Sequence, residues 1–587
     1  MRHKLLLVMC LIAAGVLAGP LASQGGAGVI VEGNPRGAEN IGSLNPLRCN
    51  NPNCRRVVDL LYPTLLAIDP AASAYVPSSG DDTALAAGWQ MSDDGTVYTF
   101  ELRDDLYWSD GAPVTAYDVF FTHLDTYIGH SETAQTPFRQ RNLRAVVPLD
   151  ARNIAFVLEV PSCEALRLLN TPLLPAHDFQ PDFTEVTRAA LPESDDLVAR
   201  FQAWEAQAGR DYRAVISRIQ PSVTAGTFAL QDVRPTEAVR LITPDGRVAF
   251  DYVDAPDINQ QVDWFIEGRL NLLVNPPVER LADLRAVPDT QVVQTASQTW
   301  EYINLNLADP RNPQSAFDEG GAPLEQGAHP IIGDVRVRRA LQMALDVPTI
   351  IEAALQGAGA VMPTNIRPGT WAFNPALAPI AYNPSEAGRL LNEAGWRDWN
   401  SDGIRECHNC LHAPEDYTFG FELLYNASSR HQNITANLIR QQLRQIGVDV
   451  YLNGRDADSL MAIPRDQRYD AYLGSWHDPY PLNPDQTTLF TRSGDMLASG
   501  SNTGSYHNPQ VETLMQQALN PPGCDQAARA EIYHQLQAII QADQPYLWLY
   551  SPYDTVAVRG VVRGFAPYPG APLWNMADWV IQRKGDE

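Results

Sequence analysis

The sequence predicts a multi-domain protein of mixed α/β and α+β character. Three observations lead there. At 587 residues the chain is too long for a single packed core. Strand-period and helix-period segments alternate along its whole length. No fixed-period repeat accompanies them. Composition agrees: 12 Trp, 22 Tyr and 17 Phe exclude disorder for most of the chain.

The elements follow in order. Arg2, His3 and Lys4 precede an apolar run from Leu5 to Ala18, and small residues follow at Gly19, Ala22 and Ser23. This is the pattern of a secretory signal peptide. The run is shorter than the roughly 20 residues that span a bilayer; the competing reading is an uncleaved anchor. Residues 19–29 read as a flexible linker, and the mature protein is taken to begin near residue 27. A loop then leads into a helix over 57–66. Alternation predicts strands at 97–103 and 153–160. Between them a helix covers 115–127, with Thr115 as cap and Asp118 three residues on. Further helices are expected at 335–345, 350–355, 386–394, 432–446 and 527–542. Further strands are expected at 419–425, 448–452, 471–474 and 547–550.

Lys plus Arg is 43 and Asp plus Glu is 69, a net charge of −26. Such a body is a poor partner for nucleic acid, whose binding runs on clustered Lys and Arg. It is equally poor for an anionic membrane surface. Seven cysteines are present. Cys10 lies inside the apolar run, between Met9 and Leu11, and reads as apolar filler. The other six permit 15 pairings, and export favours disulfides. Proximity pairs Cys49 with Cys54 and Cys407 with Cys410, which leaves Cys163 for Cys524.

Residues 86–121 read AAGWQMSDDGTVYTFELRDDLYWSDGAPVTAYDVFF. This stretch resembles the signature of the family 5 solute-binding proteins of ABC importers, which bind oligopeptides, dipeptides or nickel. The shared pattern is a Trp, a Ser-Asp-x-Gly turn, a Tyr-Thr-Phe-x-Leu-Arg strand, a Trp-Ser-Asp-Gly turn, a Pro-Val-Thr-Ala cap and an Asp-Val-x-Phe helix. Residues 334–346 (DVRVRRALQMALD) and 382–396 (YNPSEAGRLLNEAGW) resemble two later helices of the family. Residues 438–450 and 529–550 are similar to its later helices and closing strand. On the residues alone, Asp94-Gly95 and Asp110-Gly111 are turns and Thr115 is a cap, so the signature is expected to build structure.

The resemblance implies a two-lobed periplasmic-binding-protein type II fold with an extra domain inserted in the first lobe. The implied division is signal and linker 1–26, first lobe 27–74, inserted domain 75–219, first lobe again 220–299, second lobe 300–544 and a return to the first lobe 545–587. It implies capture of a peptide in the cleft by hinge closure, delivery to a membrane permease, and no bond chemistry. A peptide ammonium needs a carboxylate, and the family places an Asp after a Gly-Trp. The matching stretch is 475–481, so Asp478 is the expected ammonium partner and Trp476 a cleft wall. Asp478 stands two residues after its Trp where the oligopeptide binders have three, and Leu473 replaces an Arg that some carry. The competing reading of Asp478 is a loop cap before Pro479. Weaker ligand candidates are Asn34, Tyr127, Phe138, Asn304 and Asn306; the last two could bond ligand or hinge backbone equally well.

Two local clusters raise metals. Asp398, Asn400, Asp402 and Gly403, with Glu406 behind them, begin like a calcium loop, although Asn409 stands at the twelfth position. A polar Asp-Gly turn is the competing reading. Cys407, His408, Cys410 and His412 offer soft ligands, but an oxidising compartment favours a Cys407–Cys410 bond over zinc. No cofactor is required by the implied activity. Nickel, a sugar or another small solute is the alternative cargo. A secreted hydrolase is a distant alternative, because no G-x-S-x-G or H-E-x-x-H is present. The expected location is periplasmic or at the cell surface, and the expected state is monomeric.

Overall fold

A computed structural model of the chain describes residues 28–34, 44–47, 49, 51–80, 82–128, 142–208, 222–234, 237–255 and 257–582. The signal-like segment and Phe138 lie outside these residues, as does the side chain of Tyr127. One 12-stranded sheet runs through the molecule. Its first-lobe half is built on Gly28–Asn34, which pairs in parallel with Val248–Asp254 over seven residues. Its second-lobe half carries Gly420–Asn426, Asp449–Arg455, Ala471–His477 and Thr299–Leu305.

The two halves share one strand, Tyr546–Arg559. Residues 546–550 pair with Thr299–Leu305 in the second lobe. Residues 553–559 pair with Thr290–Ala296 in the first. The burial pattern follows: 546–551 and 555–558 are buried, and 552–554 surface between them. A strand buried on both faces at each end and wet in the middle is a crossover between two cores. The other crossover is Ser297-Gln298, between the strands ending at Ala296 and starting at Thr299. The chain thus passes between lobes on two neighbouring strands, as the type II fold requires.

A second sheet, antiparallel and four-stranded, has the order Ala86–Met91, Val97–Leu102, Asn153–Leu158, Leu143–Pro148. It lies inside the expected insertion 75–219. Phe100 and Phe156 of this sheet, with Phe120 and Trp204 of the helices Ala116–Ile128 and Leu197–Gln207, join Ile30, Phe250 and Val558 in one hydrophobic core. The inserted domain is therefore fused to the first lobe rather than hung from it. The second lobe has its own cores, one around Leu341, Leu423 and Leu473 and one around Trp300, Tyr302, Tyr533 and Trp548.

Local chemistry sets the helix bounds. The helix expected over 57–66 runs instead Pro52–Leu61. Asn51 accepts the Cys54 N–H at 2.9 Å, Pro52 occupies the first turn, where its missing N–H costs nothing, and the chain is already extended at Tyr62, before Pro63. The expected 115–127 helix is observed as Ala116–Ile128. Asp118 accepts the Thr115 N–H at 2.8 Å, and Thr115 Oγ1 accepts the Tyr117 N–H at 3.3 Å. Gly95 and Gly111 sit at φ +71° and +89°, so both Asp-Gly pairs are the turns the sequence predicts. The cysteines pair as Cys49–Cys54, Cys163–Cys524 and Cys407–Cys410, with Cα–Cα distances of 5.5, 5.3 and 5.6 Å.

Candidate functional site

Ala471–His477 pairs antiparallel with Thr299–Leu305, opposing Trp476 to Trp300. This register brings Asp478, the next residue, under the Ser297-Gln298 crossover. Its N–H donates to the Gln298 carbonyl at 3.0 Å. The Asp478 side chain is 3% exposed. Arg367 Nε donates to its Oδ2 at 2.7 Å, and Trp300 Nε1 donates to its Oδ1 at 3.4 Å. The same Arg367 donates through Nη1 to the Ser297 carbonyl. Burial pushes the Asp478 carboxyl up from its ordinary value, and Arg367 and Trp300 oppose that shift. A buried carboxylate is thus held by a buried guanidinium, and both are tied to the Ser297-Gln298 crossover.

The second lobe meets the first just beyond. Tyr480 donates its hydroxyl to the Pro70 carbonyl at 3.2 Å, and the Leu482 N–H reaches Ser73 Oγ at 3.4 Å. Burial, with Asp69 and Tyr568 nearby, pushes the Tyr480 phenol up to about 12. Gly570 closes the corner: a Cβ there would run into the Gln298 amide and the Tyr480 ring. Its φ of +77° also suits glycine.

The other candidates divide. Trp476 is half-buried and packs on the second-lobe core. Asn34 ends the first strand, is fully buried, and its carbonyl accepts the Ala255 N–H at 3.1 Å. Asn304 and Asn306 are fully buried. Asn304 donates to Tyr472 and Thr503 and accepts from Tyr469; Asn306 donates to the carbonyls of Gln467 and Tyr469. Both amides are engaged inside the second lobe, not with hinge backbone. Tyr127 lies in the helix Ala116–Ile128; its side chain, like Phe138, falls outside the described residues.

Arg367, Trp300, Tyr480, Gln298 and Gly570 were not singled out from the sequence. Arg367 stands 111 residues from Asp478, and an Arg in a Pro-Gly loop carries no sign of burial. Trp300 had one available signal, its place beside the crossover.

In the acidic loop, ligand atoms of Asp398, Asp402 and Glu406 lie within 4.8 Å of one another. Asn400 Nδ2 donates to Asp402 at 3.1 Å and to Glu406 at 2.8 Å. The Gly403 N–H donates to Asp398 at 3.0 Å. The amide occupies the position between carboxylates that a cation would share. The donor set fits a hard ion in type, though calcium wants roughly six to eight oxygens.

Residues 82–497 match the family model of bacterial extracellular solute-binding proteins, family 5. The chain belongs to this family. An oligopeptide-binding protein of Bacillus subtilis is 23% identical over 513 residues, covering 85% of this chain and 83% of the relative. The dipeptide-binding protein of Escherichia coli is 23% identical over 537 residues, covering 87% of each. Among solved structures, a Brucella suis protein, NikA, in complex with Fe(III)-EDTA superposes with a TM-score of 0.70 at 19% identity, covering 94% of this chain and all of that one. The family is one of extracellular solute-binding proteins. Among the described residues no helix is long and apolar enough to cross a membrane.

Proposed function

We propose that the protein is the extracytoplasmic solute-binding subunit of an ABC importer, and that its cargo is peptide. The observation that carries the site reading is the buried Asp478–Arg367 pair tied to the crossover. A free peptide is a zwitterion. Its ammonium complements Asp478, and its carboxylate or a backbone carbonyl complements Arg367. When no peptide is held, each charge neutralises the other, which keeps an otherwise costly buried wall intact. The permease reads the closed form, and selection rests on contacts made only on closing. The family match and the two peptide-binding relatives support this cargo.

The test is a thermal-shift screen of residues 27–587 against pooled di- to hexapeptides, nickel chelates and oligosaccharides, each with and without EDTA. A ligand at 100 times its Kd adds about 2.7 kcal/mol, enough to move a melting curve. Stabilisation by peptide that is lost in Asp478→Ala supports cargo and site together. Peptide stabilisation that survives Asp478→Ala keeps the cargo and discards the site. A response to chelate or sugar alone sinks the peptide reading. A structural calcium ion in the loop of Asp398, Asn400, Asp402 and Glu406 is proposed alongside. It predicts a melting point raised by Ca²⁺ in the wild type and unmoved by it in Asp402→Asn.

A further inference from the structure

Hinge closure, on which the proposed function rests, assumes that only the two crossover strands join the lobes. The structure contains a third connection. Cys163 stands two residues before the short helix Ala165–Leu169, whose Ala165 and Leu169 belong to the core shared by the inserted domain and first lobe. Cys524 closes the turn Pro522–Cys524 between the helices Pro509–Leu519 and Gln526–Asp543. Those helices place Leu514, Ala518, Tyr533 and Leu536 in the second-lobe core. The two cysteines are 361 residues apart in sequence and are disulfide-bonded. Neither cysteine belongs to the crossover segments 297–298 and 552–554.

The neighbouring side chains repeat the connection without a covalent bond. Arg529 of the second lobe reaches Glu164 of the inserted domain at 3.4 Å. Both side chains are largely buried, at 8% and 13% exposure. Arg529 is anchored on its own side by donating to the Ala518 carbonyl at 3.0 Å and by lying over the Trp371 ring. Glu164 is anchored on its side by Arg167 at 3.1 Å. A disulfide with an adjoining buried ion pair, each end fixed to a different core, is a built junction.

We propose that Cys163–Cys524 is a covalent clasp between the lobes that limits how far the cleft opens. Two neighbouring strands act as a hinge because they leave the far rims free to separate. A third covalent link outside those two strands restricts the swing that they allow. What remains is a small twist or shear between hinge and clasp. Solute then enters through a restricted aperture, so the clasp discriminates against bulky or long solutes at the entry step. The Glu164–Arg529 pair holds the same surfaces in register when the aperture narrows.

Small-angle X-ray scattering of the oxidised mature protein, without any solute, tests this directly. The comparison is the Cys163→Ser/Cys524→Ser variant, with Cys407→Ser/Cys410→Ser as control. The expected result is a larger radius of gyration for the first variant and none for the control. Equal dimensions for all three overturn the clasp. So does peptide mapping that finds Cys163 and Cys524 unlinked in the exported protein. If the variant does not fold, the wild type is titrated with mild reductant while near-ultraviolet dichroism reports folding. The radius must then rise in step with alkylation of Cys163 and Cys524; a radius that stays constant while both are alkylated overturns the proposal. Because no ligand is present, a negative peptide screen leaves this result standing, and the two readings fail separately.

Discussion

At the scale of single residues, the Asp478–Arg367 pair decides more than any other contact at the site. Removing one member of a buried pair leaves the other charge uncompensated, which costs about 3–5 kcal/mol. Arg367→Met is therefore expected to lower the melting point sharply. Arg367→Met with Asp478→Leu should recover much of that loss, because apolar replacement of a whole buried pair is often neutral. Thermal melts of the three proteins check this, and a double variant no better than the single one would show that the charges are not coupled. Asp478 was singled out because the resemblance places an Asp shortly after a Trp; its burial was not legible. Its partner was not singled out. Arg367 reaches the site only through the fold, and nothing in a lone Arg distinguishes a buried charge from a surface one. Asn304 and Asn306 stood open to ligand or hinge backbone for the converse reason: burial and internal partners are invisible in sequence.

At the scale of elements, helix and strand identity was largely legible, because caps and periodicity are local. The Asp-Gly turns could be placed from their residues alone. The helix Pro52–Leu61 was displaced in the reading because its apolar spacing continues past its end. What stops it is tertiary as well as local. The N–H groups of Ala225, Gly226 and Phe228 take up the carbonyls of Leu60 and Leu61, and a Cβ on Gly226 would strike that backbone. One element contact carries a pH prediction. His431, at the start of the helix Arg430–Arg444, bonds Glu301 of the strand Thr299–Leu305 at 2.6 Å. Tyr550 of the crossover strand donates to the same carboxylate at 3.0 Å, and Ser429 faces the other ring nitrogen at 3.0 Å. Burial alone would lower the His431 pKa, but the Glu301 carboxylate outweighs it and holds the imidazole above its ordinary value. A raised folded value means that the contribution is complete below the unfolded value of about 6.5 and is lost as pH rises through the folded one. The stability gap between wild type and His431→Gln should therefore shrink as pH rises above about 6.5. A gap that does not change with pH would mean that the imidazolium–carboxylate contact adds nothing.

At the scale of the whole molecule, the architecture followed from the resemblance more than from the elements. Periodicity assigns strands but not their order. The placing of Tyr546–Arg559 between two lobes is a long-range fact, although its buried-wet-buried pattern is its local trace. The same scale governs affinity, because solute is held by the lobes closing as bodies. Tyr480 and Pro70 make a direct hydrogen bond between the lobes near the candidate site. Tyr480→Phe keeps the ring and removes that bond alone. A hydrogen bond contributes about 1 kcal/mol net, so the closing equilibrium should fall about five-fold. The peptide Kd should weaken by the same factor, mainly through faster dissociation, because the contact forms after encounter. Calorimetry with stopped-flow dissociation separates this from loss of the site itself. An unchanged Kd would show that the Tyr480–Pro70 contact is not part of the closed, peptide-holding form. A slower association with normal dissociation would place the effect at entry, where the clasp and not the closing contacts sets the barrier.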